Sequence, residues 1–436
     1  MEKKVNVFKN KNYSLLFYGV LVSNVAHILF NFVMSLYVLR IAKEVYGNTY
    51  APLVQGIYLA VSGIILLACM PFGGVLADRI NKVKIMYITD YLRGFVILIV
   101  GLIIFLDPSP SLKLIFLFVM TIILGINSAF FNPAGGSLLK FIVSEEELPQ
   151  ASSYLHGSMN LQSIAGLILG GIMFSMFNVY VIFFINGLAY IISAVTEMFI
   201  KYDHKRHLST EKNPGVMKEI KDGIKYLYGY KPMFSLLIMA LSINFFIVPI
   251  MNNGFPFFID YGLKLESSYL FSSFLTVENW YSIILICFSI SGIIMALIIA
   301  KRPKKESYGK TLMNSITMLG SAIGMIALIM VLYFLNIISI NTTLILTVLA
   351  CLFIGFASTS FNVPVQIIMQ NKVDSNQLGK VVSVSNVMSQ ALIPFASLLA
   401  GIVISQFSIV TLYVLCTLGI AAVVIIYYRT KTYIEL

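Results

Sequence analysis

Twelve apolar segments, each about as long as a membrane-spanning helix, follow one another along this 436-residue chain. A helix needs roughly 20 apolar residues to cross the hydrocarbon core of a bilayer. Charged residues make up only 11% of the chain, against about 25% in soluble proteins. The sequence therefore predicts an all-α integral membrane protein. Its spans are residues 13–39, 52–77, 85–106, 112–139, 151–175, 178–200, 233–259, 276–300, 311–336, 341–369, 379–405 and 407–428.

The distribution of Lys and Arg predicts the orientation of these spans. The gaps between spans lie alternately on the two sides of the membrane. Of the 30 Lys and Arg residues, 26 lie at the termini or in or beside the gaps on the side of the termini, and four lie in or beside the gaps on the opposite side. Basic loops stay in the cytoplasm, so both termini are expected there, in a multi-pass protein of the cell membrane. Basic residues in short gaps suit an anionic lipid surface, and no nucleic-acid partner is expected.

The two halves of the chain repeat each other at a constant offset of 230 residues. The segment 125–132 matches 355–362, and identities continue through Val143 and Val373 to Phe177 and Phe407. A constant register across two spans and a loop indicates two related bundles.

The longest polar gap, residues 201–232, separates six spans from six. Apolar residues recur in it at helical spacing, which predicts an amphipathic helix on the inner membrane surface. We therefore expect a first bundle at 1–200, a cytoplasmic linker at 201–232 and a second bundle at 233–436.

A short charged turn between the second and third spans carries a recognisable motif. It contains Gly74, Asp78, Arg79 and Lys82. The run resembles the loop motif between helices two and three of the major facilitator superfamily, with Asn81 where that family more often has glycine. The resemblance implies twelve helices in two pseudo-symmetric six-helix bundles, and a mechanical role for the Asp78 carboxylate in holding the inner gate.

Two further runs resemble the drug and macrolide exporters of that superfamily. One is residues 221–227 in the central linker. The other contains Gly166, Gly170 and Gly171 and is similar to an exporter glycine motif, with Leu167 where proline is expected. Small residues of this kind permit close packing, predicted here between spans five and eight. Ordinary small-residue packing is the alternative.

Polar side chains inside the spans are the candidate substrate contacts, because they are costly in lipid and should face water or one another. On the first span, spacings of three and four residues place three of them on one helix face. The remaining four lie in spans four and ten, beside prolines at equivalent places of the repeat. The full set is Asn24, His27, Asn31, Asn127, Asn132, Asn362 and Gln366. Helix packing is the alternative for each.

Charged residues in the spans predict pairs and proton sites. Asp90 and Arg93 are three residues apart and are expected to pair in support of the gate. Glu197 and Lys201 are expected to form a surface pair. Proton candidates are His27, which titrates near neutral pH, and Glu278, whose aromatic neighbours make simple exposure at the outer interface the leading interpretation. The fourth span lacks the arginine found in many antiporters of the family, so an arginine-based relay there is not expected.

Together these patterns predict a secondary transporter, and the resemblance implies proton-coupled efflux of a drug or macrolide. Carriage of a specific metabolite, lipid, peptide or siderophore stays open. A membrane-embedded enzyme is a remote alternative, because the histidines and acids do not converge. We expect no catalytic residue, no metal site and no cofactor beyond the proton gradient. The protein is expected to act as a monomer on a small-molecule substrate in the lipid bilayer.

The predicted orientation can be checked with reporter fusions. A fluorescent protein fused after Leu436 should fluoresce, and alkaline phosphatase at that site should be inactive, because the carboxyl terminus is expected in the cytoplasm. Phosphatase fused after Pro110, in the gap between the third and fourth spans, should be active. Active phosphatase at Leu436 would contradict the orientation.

Overall fold

The computed structural model describes residues 6–201, 225, 228–229, 231–266, 268–302, 307–373, 385, 388 and 390–430. Five side chains within these ranges are outside the description: Val75, Asp78, His156, Leu265 and Gln370. The predicted amphipathic helix of the central linker lies almost wholly outside the described residues.

Helices account for nearly all of the described chain, and no strand occurs in the ranges given above. Apolar runs of this length form helices in lipid because a helix satisfies its own backbone hydrogen bonds. The helices of the first half are α1 (Lys11–Arg79), α2 (Lys82–Phe105), α3 (Pro110–Ile142), α4 (Leu148–Met176) and α5 (Val179–Met198).

The second half has seven described helices. They are α6 (Lys231–Pro249), α7 (Phe255–Tyr261), α8 (Val277–Ala300), α9 (Gly309–Phe334), α10 (Ile340–Lys372), α11 (Ile393–Gln406) and α12 (Ile409–Thr430). A π-helical turn, Ile250–Gly254, joins α6 to α7, so these two helices together form the seventh predicted span.

The helix α1 contains the first two predicted spans, interrupted at Gly47, where φ is 73°. This left-handed conformation suits glycine, and it lets the chain change direction inside a run of helical residues. Ten described helices are long and apolar enough to cross a membrane, and α11 is a shorter apolar one. Because α1 supplies two spans, eleven of the twelve predicted spans coincide with described helices of spanning length. Of the predicted span 379–405, α11 covers the second part, and much of the first part lies outside the described residues. The all-α fold is confirmed.

The chain divides into two compact units. The first comprises Met1–Val45 with Val61–Val216, and the second comprises Tyr46–Ala60 with Met217–Leu436. Within the second unit, a Cβ added at Gly56 would lie 2.7 Å from the carbonyl oxygen of Ser397, which shows how closely residues 46–60 pack on α11. The predicted bundle boundaries at 200 and 233 stay a prediction.

The 230-residue repeat is visible in the helix bounds. Both α3 and α10 have 33 residues, and they begin at Pro110 and Ile340. Likewise α5 begins at Val179 and α12 at Ile409. The same offset therefore relates the beginnings of both helix pairs.

Close helix contacts also recur at this offset. In the first unit a Cβ on Gly94 of α2 would meet the carbonyl oxygen of Gly187 of α5 at 2.7 Å. In the second unit the equivalent Gly324 of α9 faces Thr417 of α12, with 3.3 Å to its methyl carbon. Each unit thus builds its helix pairs on small residues, which allow helix backbones to approach in lipid.

Alanine substitutions at three helical glycines should rank by the space available to a Cβ. The new carbon would lie 2.2 Å from the Phe288 carbonyl oxygen in Gly355→Ala, but would meet nothing within 4 Å in Gly136→Ala. Overpacking costs about 1–3 kcal/mol, so Gly355→Ala should lower the thermal unfolding temperature in detergent. Gly136→Ala should match or slightly exceed the wild type. Gly125→Ala, with 3.0 Å to Ser62, should fall between them, and equal unfolding temperatures would contradict the packing.

Candidate functional site

A buried charged cluster lies where α2 packs on α5 in the first unit. Its centre is the predicted pair on α2, with Arg93 Nη1 3.3 Å from Asp90 Oδ1. Both residues are buried. The pair is therefore present, while its role in support of a gate stays a prediction.

The Arg93 guanidinium has neighbours on two other helices. It donates to the Ser128 hydroxyl of α3 at 3.1 Å. It also lies over the ring of Phe131, 4.5 Å from the centroid, and over Tyr190 of α5 at 5.7 Å. Aromatic faces stabilise a cation electrostatically. The rings on α3 and α5 therefore stabilise the charge of Arg93, and the α3 contacts are a ring and a hydroxyl, not a carboxylate.

Glu197 corrects a prediction, because it belongs to this cluster and not to a surface pair with Lys201. Its side chain is completely buried, whereas Lys201 is exposed beyond the end of α5. The buried face of α5 includes Asn186, Tyr190, Ser193 and Glu197, which recur at spacings of three and four. That periodicity was present in the sequence and could have placed Glu197 inside the bundle.

His27 on α1 connects to this cluster through Tyr190. Its Nδ1 lies 3.2 Å from the Tyr190 hydroxyl, and its Nε2 lies 3.0 Å from the Asn31 amide nitrogen. With the Asn31 amide as donor, Nε2 accepts and Nδ1 carries the imidazole proton. Both His27 and Asn31 are exposed. The third member of this stripe, Asn24, donates to Gln162 of α4 at 3.0 Å.

The amides of spans four and ten divide into buried and exposed groups. Asn127 is buried and donates to the Thr89 carbonyl of α2 at 2.9 Å, so it joins two helices. Asn132, Asn362 and Gln366 are exposed. A substrate role stays a prediction for the exposed three, and Asn127 has the geometry of helix packing.

The charged turn after α1 is anchored by its backbone. Lys82 is buried, and its Nζ donates to the Ala77 carbonyl at 2.6 Å. Asn81, which departs from the family glycine, caps α2 by accepting from the Lys84 amide at 3.2 Å. Gly74 is buried and Arg79 is exposed, while the Asp78 side chain lies outside the described residues.

The glycine motif of α4 packs on the first span, where the sequence predicted span eight. A Cβ on Gly166 would lie 2.7 Å from Ile28, and one on Gly170 would lie 2.9 Å from Phe32. Gly171 is buried beside them. These glycines let α4 approach α1 closely, which is the geometry of ordinary small-residue packing.

Glu278 is buried in the first turn of α8, so the interpretation as simple exposure was wrong. Its helix is capped by the Thr276 side chain, and the Trp280 indole donates to the Leu270 carbonyl at 3.1 Å. These contacts fold the preceding loop over the helix start. In that loop, burial and the charge of Glu278 raise the pKa of Tyr269.

Among the described residues, no three His, Cys, Asp or Glu side chains are grouped as metal ligands would be. A two-fold repeated, all-helical membrane fold with polar side chains inside its spans is typical of secondary transporters. The chain belongs to the Major Facilitator Superfamily, whose family model matches residues 16–397.

Relatives of known name agree with this family, and a solved structure shares the fold. BacE, a proposed bacilysin exporter of Bacillus subtilis, is 30% identical over 193 residues, 42% of this chain and 47% of BacE. Macrolide efflux protein A of Streptococcus pyogenes is 24% identical over 260 residues, 57% of this chain and 60% of that protein. The chain therefore spans about half of the length of these relatives. A bacterial homologue of the iron transporter ferroportin shares the fold, with a TM-score of 0.70 at 14% identity, covering 96% of this chain and all of that one.

The two classes of amide should respond differently to substitution. Asn127→Ala removes a hydrogen bond between α3 and α2, so it should lower stability in detergent by about 1 kcal/mol. Asn132→Ala, on the same helix but exposed, should leave the unfolding temperature near that of the wild type. Equal losses in the two variants would show that burial does not separate their roles.

Proposed function

We propose that this transporter exports a bulky amphipathic compound of the drug or macrolide type by alternating access, in exchange for protons. The main support is sequence similarity to a macrolide efflux protein and to a proposed bacilysin exporter. Because each match covers only part of either protein, substrate and direction belong to the proposal.

The exposed polar residues of the described spans support a weakly charged substrate. Candidate contacts that are exposed are His27, Asn31, Asn132, Asn362 and Gln366, a set of amides and one imidazole. Amides orient a ligand by hydrogen bonds without requiring a charge on it. The Asp90 and Arg93 pair, by contrast, is buried within the first unit.

A second candidate is export of a different natural product on the same fold. The similarity to BacE, which covers less of the chain but at higher identity, favours this candidate over uptake of a nutrient. Both candidates share the fold, the proton gradient as energy source and the absence of a catalytic step.

The proposal is tested by the accumulation of lipophilic drugs, including macrolides, in cells that do or do not express the protein. Expressing cells should accumulate severalfold less of at least one compound. A protonophore should abolish this difference, because it removes the gradient that drives export. Reduced accumulation that is indifferent to the protonophore would contradict proton coupling, and no change across the panel would favour the natural-product candidate.

A further inference from the structure

The Glu197 carboxylate is the least satisfied charged group in the described part of the first unit. Both of its oxygens are buried and accept no hydrogen bond from any described residue. Asp90 is better satisfied, because Oδ1 pairs with Arg93 and the Ser193 hydroxyl interacts with its side chain, while Oδ2 is buried without a partner. An ionised carboxylate in such a place is costly unless it is paired and hydrogen-bonded. The two acids therefore have free oxygen atoms inside the bundle, each able to carry a proton.

The charges around these acids do not balance. Glu197 interacts electrostatically with Asp90 and Arg93. The remaining titratable groups facing the cluster are Tyr190 on α5 and His27 on α1, each of which interacts with Arg93. From α3 come only the hydroxyl of Ser128 and the ring of Phe131. Two carboxyl groups share one guanidinium, so ionising both leaves an unpaired buried negative charge.

The repeat shows that the helix pair does not need these charges in order to pack. In the second unit α9 packs on α12, as α2 packs on α5. Between Thr311 and Phe334, α9 has no charged residue, and α12 has none before Arg429. Gly320 stands at the place of Asp90, and Tyr427 stands at the place of Glu197. Since the same packing forms without acids, their presence in the first unit calls for a function other than packing.

A chain of polar contacts connects the buried acids with an exposed side chain. Arg93 lies over the ring of Tyr190, the Tyr190 hydroxyl contacts His27 Nδ1, and His27 is exposed. Imidazole exchanges protons at neutral pH. His27, predicted as a proton carrier, therefore lies between the buried acids and the exposed surface of the first unit.

We propose that Asp90 and Glu197 form the proton-binding site of this transporter, holding one exchangeable proton between them while Arg93 neutralises the remaining carboxylate. Binding forms one O–H bond to a carboxylate oxygen of the pair. Release breaks that bond and returns the proton to water, and no other reactant is needed. This inference rests on the proposed proton coupling, and it assigns that coupling to a site in the first unit.

Infrared spectroscopy of the purified protein tests proton binding without a substrate. Wild-type protein should show the C=O stretch of a protonated carboxyl group, and the stretch should disappear as the pH is raised. Glu197→Gln should lack this titrating stretch, because Asp90 and Arg93 then balance. Asp90→Asn should lack it as well, because Glu197 and Arg93 then balance.

Three spectroscopic outcomes would overturn the inference. One is a wild-type protein with no protonated carboxyl stretch. Another is a titrating stretch that survives in both single variants, which would place the proton elsewhere. The last is a stretch that does not change with pH and persists in Asp90→Asn, which would make Glu197 a permanently neutral structural residue.

Transport in everted membrane vesicles separates coupling from folding, with a labelled macrolide as the probe. In Glu197→Gln, the rate of uptake driven by a proton gradient should be at least tenfold lower than in the wild type. The variant should still exchange labelled for unlabelled macrolide across the membrane. The exposed Glu146 provides the matched control, and Glu146→Gln should keep both activities. Loss of exchange together with driven uptake in a folded Glu197→Gln would indicate a structural role and overturn the inference.

The two proposals fail in distinguishable ways. If no macrolide is carried, the proposed substrate is wrong, while the infrared titration still decides whether the acids hold a proton. If macrolide export is driven by protons, and Glu197→Gln and Asp90→Asn both transport macrolide with the proton gradient as fast as the wild type, the proposed function stands and the proton site is wrong.

Discussion

Backbone contact between helices is the interaction on which this structure depends. Lipid is as apolar as the helix surfaces, so burial of apolar area supplies little attraction between helices, and close packing must supply it. The chain meets this requirement with glycines at helix crossings, such as Gly94 against Gly187 and Gly355 against Phe288. Such contacts fix the rotation of each helix, and the rotation decides which polar side chains are buried.

Helix rotation explains the position of the charged cluster. On α2, Gly94 packs against α5, and Asp90 lies four residues before it on the same helix face. Asp90 is therefore buried between the two helices, and Arg93 pairs with it there. On α5 the stripe that contains Tyr190 and Glu197 faces inward for the same reason. Sites in the membrane thus follow from packing between small residues elsewhere on the same helices.

The sequence predicted the fold well because each of its signals is long. Apolar runs of 20 or more residues and a repeat with constant offset both average over many positions. The site was harder to predict because it depends on rotation about single helices. Glu197 was predicted to lie at the surface because Lys201 follows it, and Glu278 because Trp280 follows it. Both side chains are buried. The pairing of Asp90 with Arg93 was predicted correctly. The two residues are three apart on one helix, so their contact can be predicted without knowing how a second helix packs.

The segment Tyr46–Ala60 bears on how such a gene can be divided or recombined. It belongs to the second compact unit, yet residues of the first unit precede and follow it in the chain. The polypeptide therefore passes between the units at Val45 and again at Ala60, in addition to the central linker. A gene cut in that linker would yield two polypeptides, and neither would contain the whole second unit. The repeat relates the two halves of the sequence, whereas the two compact units divide the chain at other places as well.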